Sequence, residues 1–289
     1  MTDTRQEATP RDFESLKTMI VARQPDLPKR LAQTAEFVVR HPEEMALGTA
    51  ASIARQAGVQ PSTLVRLAQA FGFSGFSDLQ DVFRNHLRGR GDHTARLEAL
   101  SRGGAAAPGV LGILRGITDV SVGSLEILHE AADPETLDKA VAIMARADTI
   151  YLLGQRRAFP VSSYLAYALA KLDIKSVLVD NIASMAGEQI GFAGPDDAVL
   201  AISFTPYTPA TVELSRLARR SNVPVVAVTD SPFSPLVAHS SCWIEVAEAD
   251  FAGFRSLAAT FSLAMALAIA TGERRASGRK PQDSRNILD

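Results

Sequence analysis

Residues 57–61, Ala-Gly-Val-Gln-Pro, constrain the fold of this chain more tightly than any other stretch. Gly58 stands where a helix end wants a left-handed residue, a conformation glycine adopts without steric strain. Pro61 fits the first position of a new helix, where its missing N–H is harmless. On both sides the apolar period is helical. Ala50, Ile53, Ala54 and Ala57 fall at i, i+3, i+4 and i+7, and Leu64, Leu67, Ala68 and Phe71 make a second face. Val59 is a small apolar plug in the turn. The outer side of the second segment carries Ser62, Thr63, Arg66 and Gln69, with Gln60 at its entrance and Arg55 on the first segment. Hydroxyl, amide and guanidinium groups are the types that bond base edges and phosphates. Two short helices around a glycine turn make a helix-turn-helix, whose second helix enters the major groove. Period alone also allows an ordinary helical hairpin.

The residues that follow favour the first reading. The run SIARQAGVQPSTLVRLAQAFGFSGFSDLQ resembles the N-terminal domain of the RpiR/MurR family of bacterial transcriptional regulators, with Ala54, Gly58, Val59, Thr63, Arg66, Gly72, Gly75, Phe76 and Leu79 in matching places. The chain departs from the family pattern at Gln60, usually Ser, and at Phe71, usually Leu. Neither change removes groove-facing chemistry. The resemblance implies that Ser62, Thr63, Arg66 and Gln69 meet base edges or phosphates, with Gln60 and Arg55 nearer the DNA backbone. Arg66 is the foremost candidate for a base contact. A phosphate contact, or an ion pair with Asp78 or Asp81, is its alternative role.

Composition excludes several classes. The 289 residues suffice for one large domain or two ordinary ones. A hydrophobic share of 46% with 21% charged residues is that of a soluble globular protein. The single cysteine, Cys242, precludes an internal disulfide framework and suits a reducing cytosol; within CWIEV it reads as a buried, inert thiol. The opening MTDTRQEATPRDFE is polar, so no signal peptide is expected. The apolar stretch near 256–272 contains Ser, Thr and many Ala, and reads as a buried helix rather than a membrane span. A net charge of −2 argues against indiscriminate coating of nucleic acid. The charge is uneven, however. Residues 47–90 carry five Arg against two Asp, and the chain beyond residue 90 carries eighteen Lys/Arg against twenty-two Asp/Glu. A basic helical module beside a mildly acidic body fits a DNA-binding head on a non-DNA body.

In chain order, residues 1–11 are expected to be disordered. Helices are expected at 12–24, with Phe13, Leu16, Met19 and Ile20 inward, and at 29–40, with Leu31, Ala35 and Val38 inward. A short turn over Glu43–Leu47 precedes the helix-turn-helix, and a helix at 75–88 closes a five-helix head. Gly89, Gly91, Gly103, Gly104 and Pro108 break any long element, which makes 89–108 a linker with one helical turn around Leu97–Leu100. Helices at 109–130 and 134–147 follow. Five continuous apolar runs then read as strands: Thr149–Leu153, Ser176–Asp180, Ala198–Ser203, Pro224–Thr229 and Cys242–Val246. Continuous runs, not alternating ones, mark strands buried on both faces. Helices at 159–172, 184–192, 209–221, 233–239 and 251–271 fill the gaps, which implies a parallel sheet covered on both sides. The expected domains are therefore 12–88 and 109–275, with a polar tail at 276–289.

The second half resembles a SIS domain, the sugar-phosphate isomerase and binding fold. YLLGQRRAFPVSSYLAYALAKL matches its first strand, loop and helix, and AISFTPYTPATVELSRLARRSNVPVVAVTDSPFSPLVAHS its third strand onward. The resemblance implies a five-stranded parallel sheet of flavodoxin-like order 2-1-3-4-5, helices on both faces, and self-association. In SIS domains a phosphosugar lies between a G-x-G-x-S loop after the first strand and an S-x-S-G-x-T loop after the third. There backbone N–H groups, hydroxyls and a helix N-terminus face the phosphate. Here the first loop reads Gly154-Gln155-Arg156-Arg157-Ala158, and the second Ser203-Phe204-Thr205-Pro206-Tyr207-Thr208. Arg156 replaces a glycine, Ala158 a serine and Pro206 a glycine, and proline has no N–H to give. Two readings follow. Either Arg156 or Arg157 clamps an acidic effector, a phosphosugar or sugar acid, with Gln155, Ser203, Thr205 and Thr208, or the domain only dimerises. Arg156 and Arg157 are otherwise solvated or bridge subunits, and Thr208 also suits a helix cap.

Isomerase chemistry needs a positioned acid/base pair. Glu188, His129, His239, Glu245 and Glu248 are the candidates, and none stands in a local constellation. No metal-ligand spacing occurs, and no cofactor is expected. The sequence thus reads as a cytoplasmic transcription factor that binds a palindromic double-stranded operator as a homodimer or homotetramer, senses a small acidic sugar-like effector, and has no membrane partner. The 251–271 helix offers a flat Ala-rich surface for self-association, or else lines the core. A SIS-fold isomerase with a helical interaction module is the alternative.

Overall fold

The computed structural model describes residues 9–91 and 109–278. The chain divides into two compact units, Met1–Ala106 and Ala107–Asp289. The expected disorder at 1–8, the turn at 97–100 and the residues after 278 lie outside the described ones.

The first unit is helical: α1 Phe13–Arg23, α2 Lys29–Arg40, α3 Pro42–Leu47, α4 Ala50–Gln56, α5 Pro61–Ala70 and α6 Phe76–Gly91. Its core gathers one face of each helix, with Phe13, Leu16, Ile20, Val38, Met45, Ile53, Leu64, Leu67, Phe71 and Phe83 all buried. Each such side chain contributes about 1.5–3 kcal/mol on leaving water. Four expectations change. The turn over Glu43–Leu47 is a helix, because Pro42 occupies its first turn and Glu43 and Glu44 complement its positive end. Helix α6 continues to Gly91, past the expected end at 88. Met19 and Leu31 are only half-buried. Residues 9 and 10 are tied down, since Thr9 Oγ1 donates to the Gly72 carbonyl at 2.9 Å and Pro10 is buried.

The second unit opens with α7 Val110–Ala131 and α8 Pro134–Arg146. Alternation follows: β1 Ile150–Gly154, α9 Phe159–Lys171, β2 Ser176–Leu178, α10 Ala186–Gly191, β3 Ala198–Ile202, α11 Pro209–Arg220, β4 Val225–Thr229 and β5 Cys242–Glu245. The strands form one sheet of order β2-β1-β3-β4-β5, parallel at every pair. Helices α8 and α9 pack on one face through Met144, Leu165 and Leu169, while α10 and α11 pack on the other through Ile190, Leu214 and Ala218. Strands β1, β3 and β4 are wholly buried, as continuous apolar runs require, whereas the edge strands β2 and β5 are only partly so.

Two expected helices differ. The span 233–239 keeps only a single tight turn at Val237–His239. Pro232 and Pro235 oppose a regular helix, and the Ser231 and Ser234 hydroxyls accept from the Phe233 and Leu236 N–H groups instead. The span 251–271 begins as an antiparallel hairpin, β6 Asp250–Phe251 and β7 Phe254–Arg255, before α12 Ala258–Gly278. Its Ala252-Gly253 turn has both φ values positive, a hairpin signature the helical period hid. Helix α12 sends Leu263, Ala264, Leu267 and Ala268 into the core, while Ser262, Ala266 and Ile269 on its other side are exposed.

Candidate functional sites

In the first unit, local chemistry fixes both helices of the motif. Thr49 Oγ1 accepts the Ser52 N–H at 3.1 Å, and Ser52 Oγ accepts the Thr49 N–H at 2.9 Å, a reciprocal cap on α4. At the far end Gly58 takes φ 66, and the Val59 N–H returns to the Ala54 carbonyl at 2.9 Å. A Cβ on Gly58 would touch nothing within 4 Å, so the dihedral alone demands glycine. Helix α5 starts at Pro61 with no side-chain cap, leaving its positive end open to an anion. Its last turn is held from behind. Arg23 Nη1 donates to the Ala70 carbonyl at 2.8 Å, and its guanidinium lies 5.2 Å from the Phe71 ring centre.

The outer face of α5 presents Ser62, Arg66 and Gln69 to solvent, with Gln60 before it, Arg55 on α4, and Thr63 half-buried. Asp78 accepts from Ser74, and Asp81 pairs with Arg84 at 3.2 Å. The alternative ion pair for Arg66 is therefore not formed; among the described residues Arg66 has no salt bridge. The sequence reading passed over two residues. Val65, 38% exposed, lies among the polar groups, and an apolar tip there suits a thymine methyl. Gln80, buried, donates its amide to the carbonyls of Met45 at 3.0 Å and Gly48 at 2.7 Å, which anchors the end of α3 ahead of the motif. Nothing in a lone glutamine of a helical period signals that role.

In the second unit the two loops flank β1 and β3 at their carboxyl ends, where the strand order reverses and open α/β sheets bind ligands. The structure brings Arg157, Ser203, Thr205 and Thr208 together. Arg157 Nη2 donates to the Thr205 carbonyl at 3.3 Å, and its guanidinium lies 5.2 Å from the Phe204 ring centre. Ser203 Oγ accepts the Thr208 N–H at 3.1 Å. Thr208 precedes α11 but its side chain makes no capping bond. Gln155 follows β1 with its amide nitrogen buried and, among the described residues, without a hydrogen-bond partner, a donor that calls for an acceptor. Arg156 stands apart: it is exposed, with φ 55. It occupies the left-handed backbone that the family's glycine would take, at a cost of about 1–2 kcal/mol. Gly154 is required for space, since a Cβ there would lie 2.1 Å from Ser162 Oγ.

Three residues were missed. Asp230, after β4, accepts the Thr205 N–H through Oδ2 at 3.1 Å, and Arg255 Nη1 lies 3.6 Å from the same oxygen. The Tyr207 hydroxyl lies among Asp230, Thr205 and Ser234; burial, then the Asp230 charge, holds it well above the ordinary tyrosine range. Asp230 ends a strand as the other loops do, so the end-of-strand rule could have found it. Arg255 could not be found while its hairpin read as helix. The enzymatic candidates stay scattered: Glu188 and His129 are exposed, and Glu248 caps α12 by accepting from Thr260 N–H and Oγ1. Among the described residues no group of three or more His, Cys, Asp or Glu is placed to hold a metal ion, and no helix is long and apolar enough to cross a membrane. A cleft of about 470 Å³ between α8 and α12, lined by Arg146, Arg274 and Arg275, belongs to neither loop; Arg274 pairs with Asp138, and Arg275 donates to the Met144 and Ala147 carbonyls.

Comparison with known proteins matches residues 15–87 to the helix-turn-helix domain of the rpiR family and residues 143–270 to the SIS domain. The HTH-type transcriptional regulator HexR of Pseudomonas aeruginosa is 24% identical over 235 residues, covering 81% of this chain and 79% of that protein. YbbH of Bacillus subtilis, described as an uncharacterized HTH-type transcriptional regulator, is 23% identical over 245 residues, covering 82% of each. Among solved structures, the sugar isomerase domain of an RpiR transcription factor from Sphaerobacter thermophilus superposes with a TM-score of 0.53 at 21% identity, over 56% of this chain and 90% of that one. The Vibrio vulnificus NanR protein, solved with ManNAc-6P, gives 0.51 at 20% identity over 91% of both chains.

Proposed function

Because the chain belongs to the RpiR/MurR family of transcriptional regulators, a helix-turn-helix domain ahead of a SIS domain, we propose that it grips a palindromic operator as a homodimer or homotetramer and changes that grip when a small acidic sugar derivative binds its SIS loops. The controlled genes serve sugar or related carbon catabolism, and the protein acts in the cytoplasm, where its DNA lies. It is a regulator rather than an isomerase, as its named relatives are regulators.

The observation that carries the DNA reading is the outer face of α5: Gln60, Ser62, Arg66 and Gln69 exposed beside an uncapped positive helix end, on a rigid helical support. Arg66 reads a base, Ser62, Thr63, Gln60 and Arg55 hold phosphates, and Gln69 and Val65 complete the face. Two heads are needed for a site of useful length. Helix α7 supports self-association, with Leu111, Leu114, Val122 and Leu125 exposed in one stripe around Thr118. Under a two-fold axis this stripe meets its own copy.

For the effector, the buried Gln155 amide and the Arg157 guanidinium supply donors, and the Thr208 hydroxyl, uncommitted as a cap, adds another. NanR was solved with a phosphosugar, and ManNAc-6P is the first compound to try, alongside gluconate as a sugar acid. Calorimetry of the full chain should show binding of one of them, lost in Arg157→Ala. Unchanged affinity in the Arg156→Ala/Arg157→Ala double variant would remove the clamp from the site.

A further inference from the structure

The hairpin β6–β7 makes contacts in two directions. Toward the effector loops, Arg255 reaches Asp230 at 3.6 Å, with side chains 14% and 7% exposed, and that carboxylate holds the Thr205 N–H. Toward α7, the Ala249 N–H donates to Ser124 Oγ at 2.9 Å, and Ser256 Oγ lies 3.1 Å from Ser121 Oγ. Both roots of the hairpin are thus bonded to one helix. Ser124 is buried, and its own hydroxyl donates to the Val120 carbonyl, so its orientation is fixed. The ring of Phe251 fills the space beside Gly116, where an added Cβ would lie 2.1 Å from Cε2. At the tip, Ala252 takes φ 52, a conformation strained for a residue with a Cβ, and the Gly253 N–H bonds Asp250 Oδ1 at 2.6 Å. Helix α7 is the first described element after the segment that separates this unit, in sequence, from the DNA-binding head.

We propose that the β6–β7 hairpin is the coupling element of the regulator, a bar between the effector loops and α7. A ligand that displaces Thr205 or Asp230 moves Arg255, and the hairpin carries that movement to α7 through Phe251 and its two serine contacts. Which ligand does so rests on the effector reading above; the coupling itself is a property of this unit. Coupling is reciprocal, so a change imposed on α7 alters the loops by the same free energy. Contact alone does not make a route: both ends must respond.

Hydrogen exchange on the full-length protein, without DNA or effector, tests this. Gly116→Ala drives a methyl group into the Phe251 ring, far from the loops in sequence. Exchange at the Thr205 and Thr208 N–H groups should rise about fivefold or more. Adding Phe251→Leu relieves the clash and should return those amides toward the wild-type rate. From the other end, Arg255→Gln should raise exchange along residues 116–124 as well as at Thr205. Should Gly116→Ala fail to fold, Arg255→Gln decides alone. Changes confined to α7 and the hairpin in the first variant, or to the loops in the last, overturn the proposal. Since no effector is present, that failure leaves the effector assignment standing. Coupled amides with no response to any sugar acid or phosphosugar would fault the assignment instead.

Discussion

The outer face of α5 and the loops at the carboxyl end of the sheet hold the same kinds of group in opposite states. On α5 the amides, hydroxyl and guanidinium point to solvent from a motif held by the Thr49 cap and Gly58 end of α4 and by Arg23 at the last turn of α5. In the loops, Arg157, Ser203, Thr205 and Asp230 already bond to protein. A face that reads a groove needs rigid support and open donors, and local signals supply both. A site that must also report on its occupancy needs bonds that a ligand can replace, and these come from residues far apart in the chain.

The largest effect should fall on the sheet side. Gly154→Ala forces a Cβ against Ser162 Oγ and should lower stability by about 3 kcal/mol in urea unfolding, with partial recovery on adding Ser162→Ala. No loss would mean the loop is looser than its contacts imply, and the contrast with α5 would weaken. Next, Arg66→Ala should weaken operator binding by about 1–3 kcal/mol and relax sequence preference at one position. A uniform loss with a shallower salt slope would instead make it a phosphate contact. Thr49→Ala removes the reciprocal cap on α4 and should cost about 1 kcal/mol of stability. The smallest effect has the opposite sign. Arg156→Gly relieves the left-handed backbone at φ 55 and should leave stability unchanged or raised by up to about 1 kcal/mol, with effector affinity intact if Arg157 is the clamp. Lost affinity would exchange the roles of the two arginines.

What the sequence made legible follows the same division. Gly58, Pro61 and the helical period fixed the motif because each acts over a few residues. The strand order came from resemblance, and the burial of β1, β3 and β4 from their continuous apolar runs. The hairpin at 250–255 was illegible because Phe251, Phe254 and Leu257 also satisfy a helical period, and only Ala252-Gly253 marked the turn. The Gln80 anchor and the Arg255–Asp230 pair join residues 32 and 25 or more positions apart. No spacing rule reaches them.

The most direct measurement is a titration of the full-length protein against the DNA upstream of its own gene, at two salt concentrations, with unrelated duplex as competitor. The account predicts tight binding that resists the competitor, weakens with salt and is reduced by Arg66→Ala. Absence of binding at low salt, or equal displacement by unrelated DNA, would contradict it.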